Sequence, residues 1–230
     1  MTEIDSEIQK LLNSASRYDI CFLEKYENCV RDQVNKGQYS LVNNLAVLLL
    51  YTIHPNRVDL EIVQDILLLS MIRGPISPDF MACTYQISLP VQNEPPIKEI
   101  IQFNELLTSC RFSDMWTLLK NNSTLRSKVE RIDNFYNSVR DIIVQSIGCS
   151  HSCISIQVLS ELVNFPKDST EIKEIIEKNN WITDPSWEIV KIPVLENPVD
   201  NSIESNITKN KPLETNENII RNYLTILNSI

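Results

Sequence analysis

Three side chains of types that bind metal ions stand within five residues, at Cys149, His151 and Cys153. Thiolate and imidazole ligands are typical of zinc sites, which arrange four ligands as a tetrahedron. Alternate residues of an extended loop do not easily wrap around one tetrahedron, and the sequence offers no evident fourth ligand. We therefore predict that this cluster binds no metal, and that two half-buried cysteines flank a surface histidine.

Patterns that would support catalysis are missing from the sequence. It contains no GxSxG, HExxH or CxxC motif and no Walker lysine. Only three glycines occur in 230 residues, which excludes a glycine-rich phosphate-binding loop. The other histidine, His54, stands in a His-Pro turn, where we expect a structural role. The sequence thus predicts a protein that is not an enzyme and that uses no cofactor.

The charge of the chain argues against a nucleic-acid-binding role. The formal net charge is −9, whereas a protein that binds phosphate backbones needs a basic surface. The segment 170–179, the expected recognition helix, has two lysines against three glutamates. Tryptophans can stack on bases, but in an acidic neighbourhood we expect them to pack in a core or a hairpin. Direct contact with RNA inside a larger assembly stays open.

The elements that must position these residues are helical as far as Gly148. Apolar residues recur at steps of three and four, which predicts helices over 4–15, 20–36, 41–53, 59–72, 79–89, 97–109, 112–120 and 124–148, with a linker at 93–96. The segment 41–53 is apolar nearly all round, as is typical of a buried helix. Helices joined by short turns favour a HEAT-like array, which we assign to residues 1–136.

The pattern changes after Gly148 and predicts a winged-helix domain over residues 137–192. A short strand at 153–154 is followed by helices over 156–163 and 170–179, and then by a hairpin over 181–192. Asp168 and Glu171 have the spacing of a capping box at the start of the second helix. We expect the hairpin to offer an open sheet edge to a neighbouring subunit, with partner contacts at Trp181, Trp187 and Ile189. The alternative is that the hairpin only closes its own domain.

The carboxy-terminal part of the chain predicts a tether and a docking helix. Residues 193–215 are rich in Pro, Asn, Ser and Glu, which is typical of a flexible segment. Residues 216–230 regain an amphipathic pattern, and an isolated helix of this length is marginal in water. We predict that it packs on a partner or on the chain's own helical array through Ile219, Ile220, Tyr223, Leu224 and Leu227.

The sequence shows neither a secretory signal nor a membrane-spanning segment. The first residues are acidic and lack the apolar region of a secretory signal. The longest apolar run, Leu45–Tyr51, is far shorter than the ~20 residues that cross a membrane. The six cysteines show no CxxC pair and are expected to be reduced. We therefore expect a cytoplasmic protein with no membrane contact.

Three blocks of sequence carry a resemblance to a known family. They are Asn44-Leu45-Ala46-Val47-Leu48-Leu49-Leu50-Tyr51 before His54-Pro55, Cys110-Arg111-Phe112-Ser113-Asp114-Met115-Trp116, and Val139-Arg140-Asp141-Ile142-Ile143 with Leu159-Ser160-Glu161-Leu162. Over residues 20–192 the chain resembles the subunit K family of eukaryotic translation initiation factor 3, a branch of the PCI family. The resemblance implies a mostly α PCI architecture: a HEAT-like helical array, a winged-helix domain and a tethered carboxy-terminal helix.

The resemblance also implies a function. It indicates a non-catalytic structural subunit that supports assembly of the initiation factor and its binding to the small ribosomal subunit, with subunit L as the main partner. The alternative is a PCI scaffold subunit of the proteasome lid or the signalosome, which share the winged-helix part. The Asn-Leu-Ala-Val-Leu block at residues 44–48 favours the first. A DNA-binding winged helix and an enzyme rank below both.

Overall fold

We analysed a computed structural model, which describes residues 10–36, 39–73, 77–184, 186 and 188–193. Contacts divide the chain into two units, Met1–Pro193 and Val194–Ile230, and every described residue belongs to the first. One cluster of buried apolar side chains extends within this unit from Leu12 to Ile192. The division at 136/137 stays a prediction, because buried side chains on both sides of it belong to the same cluster.

The described part of the chain is mostly helical. Short 3-10 turns at Ala15–Tyr18, Ile20–Phe22 and Pro55–Arg57 accompany the helices. The helices are α1 (Leu23–Lys36), α2 (Leu41–Ile53), α3 (Leu60–Met71), α4 (Asp79–Gln86), α5 (Leu89–Gln92), α6 (Pro95–Thr108), α7 (Phe112–Asn121), α8 (Ser123–Glu130), α9 (Phe135–Ser150), α10 (Ile156–Val163) and α11 (Thr170–Lys178). The expected predominance of helix is confirmed, and the bounds predicted for α2 and α10 are those observed.

A buried polar network joins α1 to the start of α2. Gln33 Nε2 donates to Asn44 Oδ1 at 2.9 Å, and Gln33 Oε1 accepts from the Ser40 backbone amide at 2.8 Å. Asn43 Nδ2 donates to the carbonyl of Tyr26 at 3.1 Å. Buried amides need such partners, so the two adjacent asparagines fix how α2 sits against α1. The Ser40 side chain also caps α2, as the sequence predicted.

Helix α3 lies at the centre of the helical part. Ten of its twelve residues are buried, and it packs against α1, α4 and α6. Two ion pairs link it to the distant helix α8 and the residue after it. Lys128 Nζ lies 2.8 Å from Glu61, and Arg131 lies 3.3 Å from Asp65. The pairs bridge 67 and 66 positions of the chain, so they hold together parts of the molecule that are remote in sequence.

Three local predictions require correction. The helix expected over 124–148 is two helices, since the chain turns between Glu130 and Phe135 with Asn134 in the left-handed region at φ 58°. The expected linker at 93–96 is partly helix, because α6 begins at Pro95, a residue whose fixed φ suits the first turn. The cap of α11 is Ser169 rather than Asp168, because the Ser169 side chain accepts from the Ile172 amide.

A three-stranded antiparallel sheet closes the described unit. Its strands are β1 (Cys153–Ser155), β2 (Ile182–Thr183) and β3 (Ile189–Lys191), in the order β1-β3-β2. Ile154 and Thr183 both pair with Val190, whose side chain is fully buried. The predicted strand at 153–154 and the predicted hairpin are confirmed. No helix among the described residues is long and apolar enough to span a membrane.

Candidate interaction surfaces

The side chain of Trp181 lies inside the chain. It is only 8% exposed, and its ring lies beside Gly148 of α9. Its backbone amide donates to the carbonyl of Ile176, at the end of α11. The Trp181 ring thus packs the start of the hairpin onto α9, as expected for a tryptophan in a core or hairpin, and a contact between Trp181 and a partner stays a prediction.

The strand order places the open edge of the hairpin on β2. Because β3 lies between β1 and β2, its backbone groups pair within the chain on both sides. The Asp184 amide donates to the Ile189 carbonyl, so Ile182 and Asp184 face β3 and the backbone groups of Thr183 point away from the sheet. The open edge of the hairpin is thus on β2, not on the strand that contains Ile189.

The outer face of the sheet is apolar and exposed. Ile182 is opposite Lys191, and Ile189 is two positions from Lys191, so all three side chains lie on one face. Ile182 is 62% exposed and Ile189 43% exposed. The opposite face carries the buried residues Ile154 and Val190. Ile182 is thus exposed on the edge strand β2, and Ile189 is exposed on the neighbouring strand β3.

A second exposed apolar patch lies on α4 and α5. Met81, Tyr85 and Leu89 are each more than half exposed, and Tyr85 reaches 77%. Met81 and Tyr85 are four residues apart and share a helix face. This patch was not predicted from the sequence. The available signal was the spacing of two large apolar residues, Met81 and Tyr85, which lie outside the buried pair Phe80 and Cys83.

A cluster around Arg140 binds the carboxy-terminal end of α10. The Arg140 guanidinium lies 4.0 Å from the ring centre of Phe165, and its Nε donates to the Val163 carbonyl at 3.1 Å. Trp116 Nε1 donates to the Leu162 carbonyl at 2.8 Å. The last carbonyls of a helix have no partner within the helix, so side chains from α7 and α9 supply them here. This cluster joins the helical part to the segment that carries the sheet.

The cysteines near the end of α9 are more exposed than expected. Cys149 and Cys153 are both at the surface, whereas the sequence predicted them half-buried. His151 is exposed as predicted, and its Nδ1 lies 2.7 Å from Ser150 Oγ. The described residues include no group of three or more potential ligands placed to hold a metal ion.

The surface of α11 is mainly acidic, as its sequence predicted. A hydrogen bond from its own backbone amide is the largest effect that lowers the pKa of Glu171, at the start of the helix. Lys178 Nζ lies 3.4 Å from Asp141 of α9, so this lysine is engaged within the chain. Helix α11 therefore presents carboxylates where a DNA-reading helix would present cations.

The remaining predicted contacts lie outside the described residues. These are Trp187 of the hairpin and the five apolar residues of the carboxy-terminal stripe, Ile219, Ile220, Tyr223, Leu224 and Leu227. The predicted cap at Gly37 also falls there.

The described unit is a mostly helical fold with a small sheet, and it carries exposed apolar side chains on the sheet and on α4 and α5. Residues 57–199 match the model of the CSN8/PSMD8/EIF3K family, and the chain belongs to that family. Among its relatives is eukaryotic translation initiation factor 3 subunit K of Homo sapiens, 32% identical over 81% of this chain and 84% of that protein. The subunit K of Aedes aegypti is 31% identical over 80% of this chain and 81% of the relative.

Proposed function

We propose that this chain is a non-catalytic structural subunit of eukaryotic translation initiation factor 3. The observation that carries the proposal is the alignment with relatives named subunit K over about four-fifths of both chains. The alternative, a scaffold subunit of the proteasome lid or signalosome, is not favoured, since the relatives carry the initiation factor name.

The architecture that suits this role is PCI: a HEAT-like array over residues 1–136 followed by a winged helix over 137–192. The order of elements from α9 onward supports it, since β1, α10, α11, β2 and β3 follow in turn and the hairpin pairs back onto β1. The sequence predicted a winged helix from this same order of one strand, two helices and a hairpin. The acidic face of α11 supports a protein-binding rather than a DNA-reading use of it.

The sheet supplies the surface where a neighbouring subunit would add a strand. The outward backbone groups of Thr183 and the exposed side chains of Ile182 and Ile189 support this assignment. Trp187, also predicted from the sequence as a contact, lies outside the described residues and is retained as a proposed contact. For the carboxy-terminal stripe the support is its spacing, which places five apolar side chains on one helical face: Ile219, Ile220, Tyr223, Leu224 and Leu227.

Subunit L is the first partner to test, because the resemblance pairs it with subunit K. Through that pairing the chain would support assembly of the factor and its binding to the small ribosomal subunit in the cytoplasm. The absence of catalytic motifs from the sequence supports a structural role. The net charge of −9 favours a place at which proteins, rather than RNA, form the main contacts.

Reconstitution tests this proposal directly. The full chain and subunit L of the same organism are co-expressed, and the mixture is separated by size-exclusion chromatography. We expect a stoichiometric complex that survives separation. Co-expression with the winged-helix subunits of the proteasome lid is the matched comparison and should yield separate peaks. A complex with the lid subunits and none with subunit L would overturn the assignment.

A further inference from the structure

A cavity of about 500 Å³ opens where α7, α8, α9 and α10 meet. Its lining includes Trp116 and Lys120 from α7, Arg126 from α8, Tyr136 from α9, and Glu161 from α10. Cavities that take small ligands or short peptide segments have volumes of roughly 300–1,000 Å³. This one is therefore large enough for a few side chains of a bound peptide.

One wall of the cavity consists of two stacked aromatic rings, and an arginine side chain contacts both of them. The rings of Trp116 and Tyr136 are stacked, with centroids 6.4 Å apart and planes 9° from parallel. The Arg140 guanidinium lies 5.7 Å and 5.8 Å from these two ring centres. Since Trp116 Nε1 and Arg140 Nε already donate to carbonyls of α10, the wall is fixed before any ligand arrives.

Two cations line the same cavity. Lys120 and Arg126 are exposed, and neither takes part in an ion pair with another residue of the described segments. This contrasts with Lys128 and Arg131 nearby in sequence, which are paired with carboxylates of α3. Two cations without carboxylate partners beside an aromatic wall favour an anionic group at this place, against the repulsion from the net charge of −9 on the whole chain.

The opposite charge in the lining comes from another helix. Glu161 belongs to α10, and its only described side-chain bond is a 3.4 Å contact from Gln157 Nε2. Asn164, which follows α10 with φ 55°, also lines the cavity. The Glu161 carboxylate can accept hydrogen bonds from a peptide backbone, and the Asn164 amide can both donate and accept them. The lining thus offers cations for an acidic side chain, an aromatic wall for an apolar one, and polar groups for the main chain.

The geometry points to this cavity as a docking site for an acidic peptide segment of another protein. An aspartate or glutamate of that segment meets Lys120 and Arg126, and an adjacent apolar side chain lies against Trp116 and Tyr136. A peptide is favoured over RNA because a phosphate backbone would need a longer basic track than two cations provide. The site does not depend on which assembly the chain joins.

Peptide display on the intact chain tests the site. A random twelve-residue library is selected on the wild-type protein, and one enriched peptide is then measured by fluorescence anisotropy at physiological salt. We expect enriched peptides to carry Asp or Glu next to an aromatic or branched apolar residue. We expect the double variant Lys120→Glu, Arg126→Glu to bind at least about tenfold more weakly, and Glu161→Gln to bind about as tightly or more tightly.

The controls separate local binding from folding and from bulk charge. Lys10→Glu with Arg57→Glu makes the same change in net charge at exposed residues that do not line the cavity, and should bind like wild type. Addition of the peptide should shift the indole N–H resonance of Trp116 in the ¹⁵N spectrum. Selection of peptides without acidic residues, equal loss of binding in both double variants, or displacement of the peptide by a twenty-nucleotide oligo-U RNA at lower concentration would overturn the proposal.

Discussion

At the scale of single residues, the buried amides of α1 and α2 are the clearest link between sequence and stability. Gln33 is 3% exposed and serves two partners, the Asn44 side chain and the Ser40 amide. An unsatisfied buried donor or acceptor costs about 1–3 kcal/mol. We expect Gln33→Ala to lower the free energy of unfolding by at least that amount, as measured by urea denaturation.

The matched control for this change is Gln145→Ala, at an exposed position of α9. A surface substitution of this kind should stay within about 0.5 kcal/mol of the wild type. If both variants lose the same stability, the network around Gln33 does not hold α1 and α2 together.

The buried carboxyl of Asp65 should make the free energy of unfolding depend on pH. Burial raises the pKa of its carboxyl above the usual 3.8, and the nearby Arg131 and Lys128 only partly oppose that effect. A raised folded-state pKa means that the native state binds the proton more tightly than the unfolded state. The stabilisation from this group is therefore fully present below pH 3.8 and is lost as pH rises through the raised pKa.

The variant Asp65→Asn isolates this contribution. Urea unfolding is measured at about pH 4 and about pH 7, and the stability of the variant relative to wild type should increase with pH. Parallel pH dependence in the two proteins would show that the Asp65 carboxyl titrates alike in the folded and unfolded chain.

Some of these buried polar residues could be predicted from the sequence, and their partners could not. Asn43 and Asn44 stand within a run of apolar residues, so two polar side chains inside a buried helix were evident before any coordinates. Their partners were not evident, because Gln33 lies eleven positions before Asn44 and reads as a surface residue of α1. The pairs Glu61–Lys128 and Asp65–Arg131 were hidden for the same reason, since nothing in the local pattern relates residues so far apart.

At the scale of elements, the cluster around Arg140 determines how firmly α10 is held. Its guanidinium donates to the Val163 carbonyl and lies over Phe165, so Arg140→Ala removes both the bond and the packing. We expect hydrogen exchange to accelerate in α10 and α11 while the amides of α3 keep their protection. Acceleration spread evenly over the molecule would mean that the two parts unfold together and that the cluster is not a local joint.

Proline substitution can test whether a partner strand pairs with the open edge of β2. Thr183→Pro deletes an outward-facing amide of β2, so it should weaken binding of the partner subunit while the thermal midpoint changes little. Ile189→Pro is the contrasting variant, because β3 pairs on both sides and a proline there should unfold the sheet. Partner affinity that is unchanged in a folded Thr183→Pro variant would contradict strand addition at β2.

Periodicity predicted most elements but not how they meet. Helices α2 and α10 follow from apolar spacing and clear caps, since Ser40 and Ser155 each accept from an amide three positions on. The break before α9 was missed because the apolar spacing continues across it, and only Asn134 marks the turn. The order β1-β3-β2 was also beyond the sequence, because strands of two and three residues carry too little pattern to show which one lies in the middle.

At the scale of the whole molecule, this member of the CSN8/PSMD8/EIF3K family carries three separate exposed features within one described unit. Exposed isoleucines on the sheet, an apolar patch on α4 and α5, and a cation-lined cavity lie on different elements of one described unit. A scaffold subunit needs more than one contact surface, and these three are the candidates. The lining of the cavity extends from Ser113 to Asn164, about fifty positions apart in sequence, so only the folded chain brings it together.

Isolation of native complexes can show whether this chain works within translation initiation factor 3. A tagged copy of the chain is expressed at its natural level, purified under mild conditions, and its partners are quantified by mass spectrometry. We predict initiation factor 3 subunits in near-equal amounts, with subunit L among those that stay longest as salt is raised. Recovery of proteasome-lid or signalosome subunits in stoichiometric amounts, without initiation factor subunits, would contradict the account.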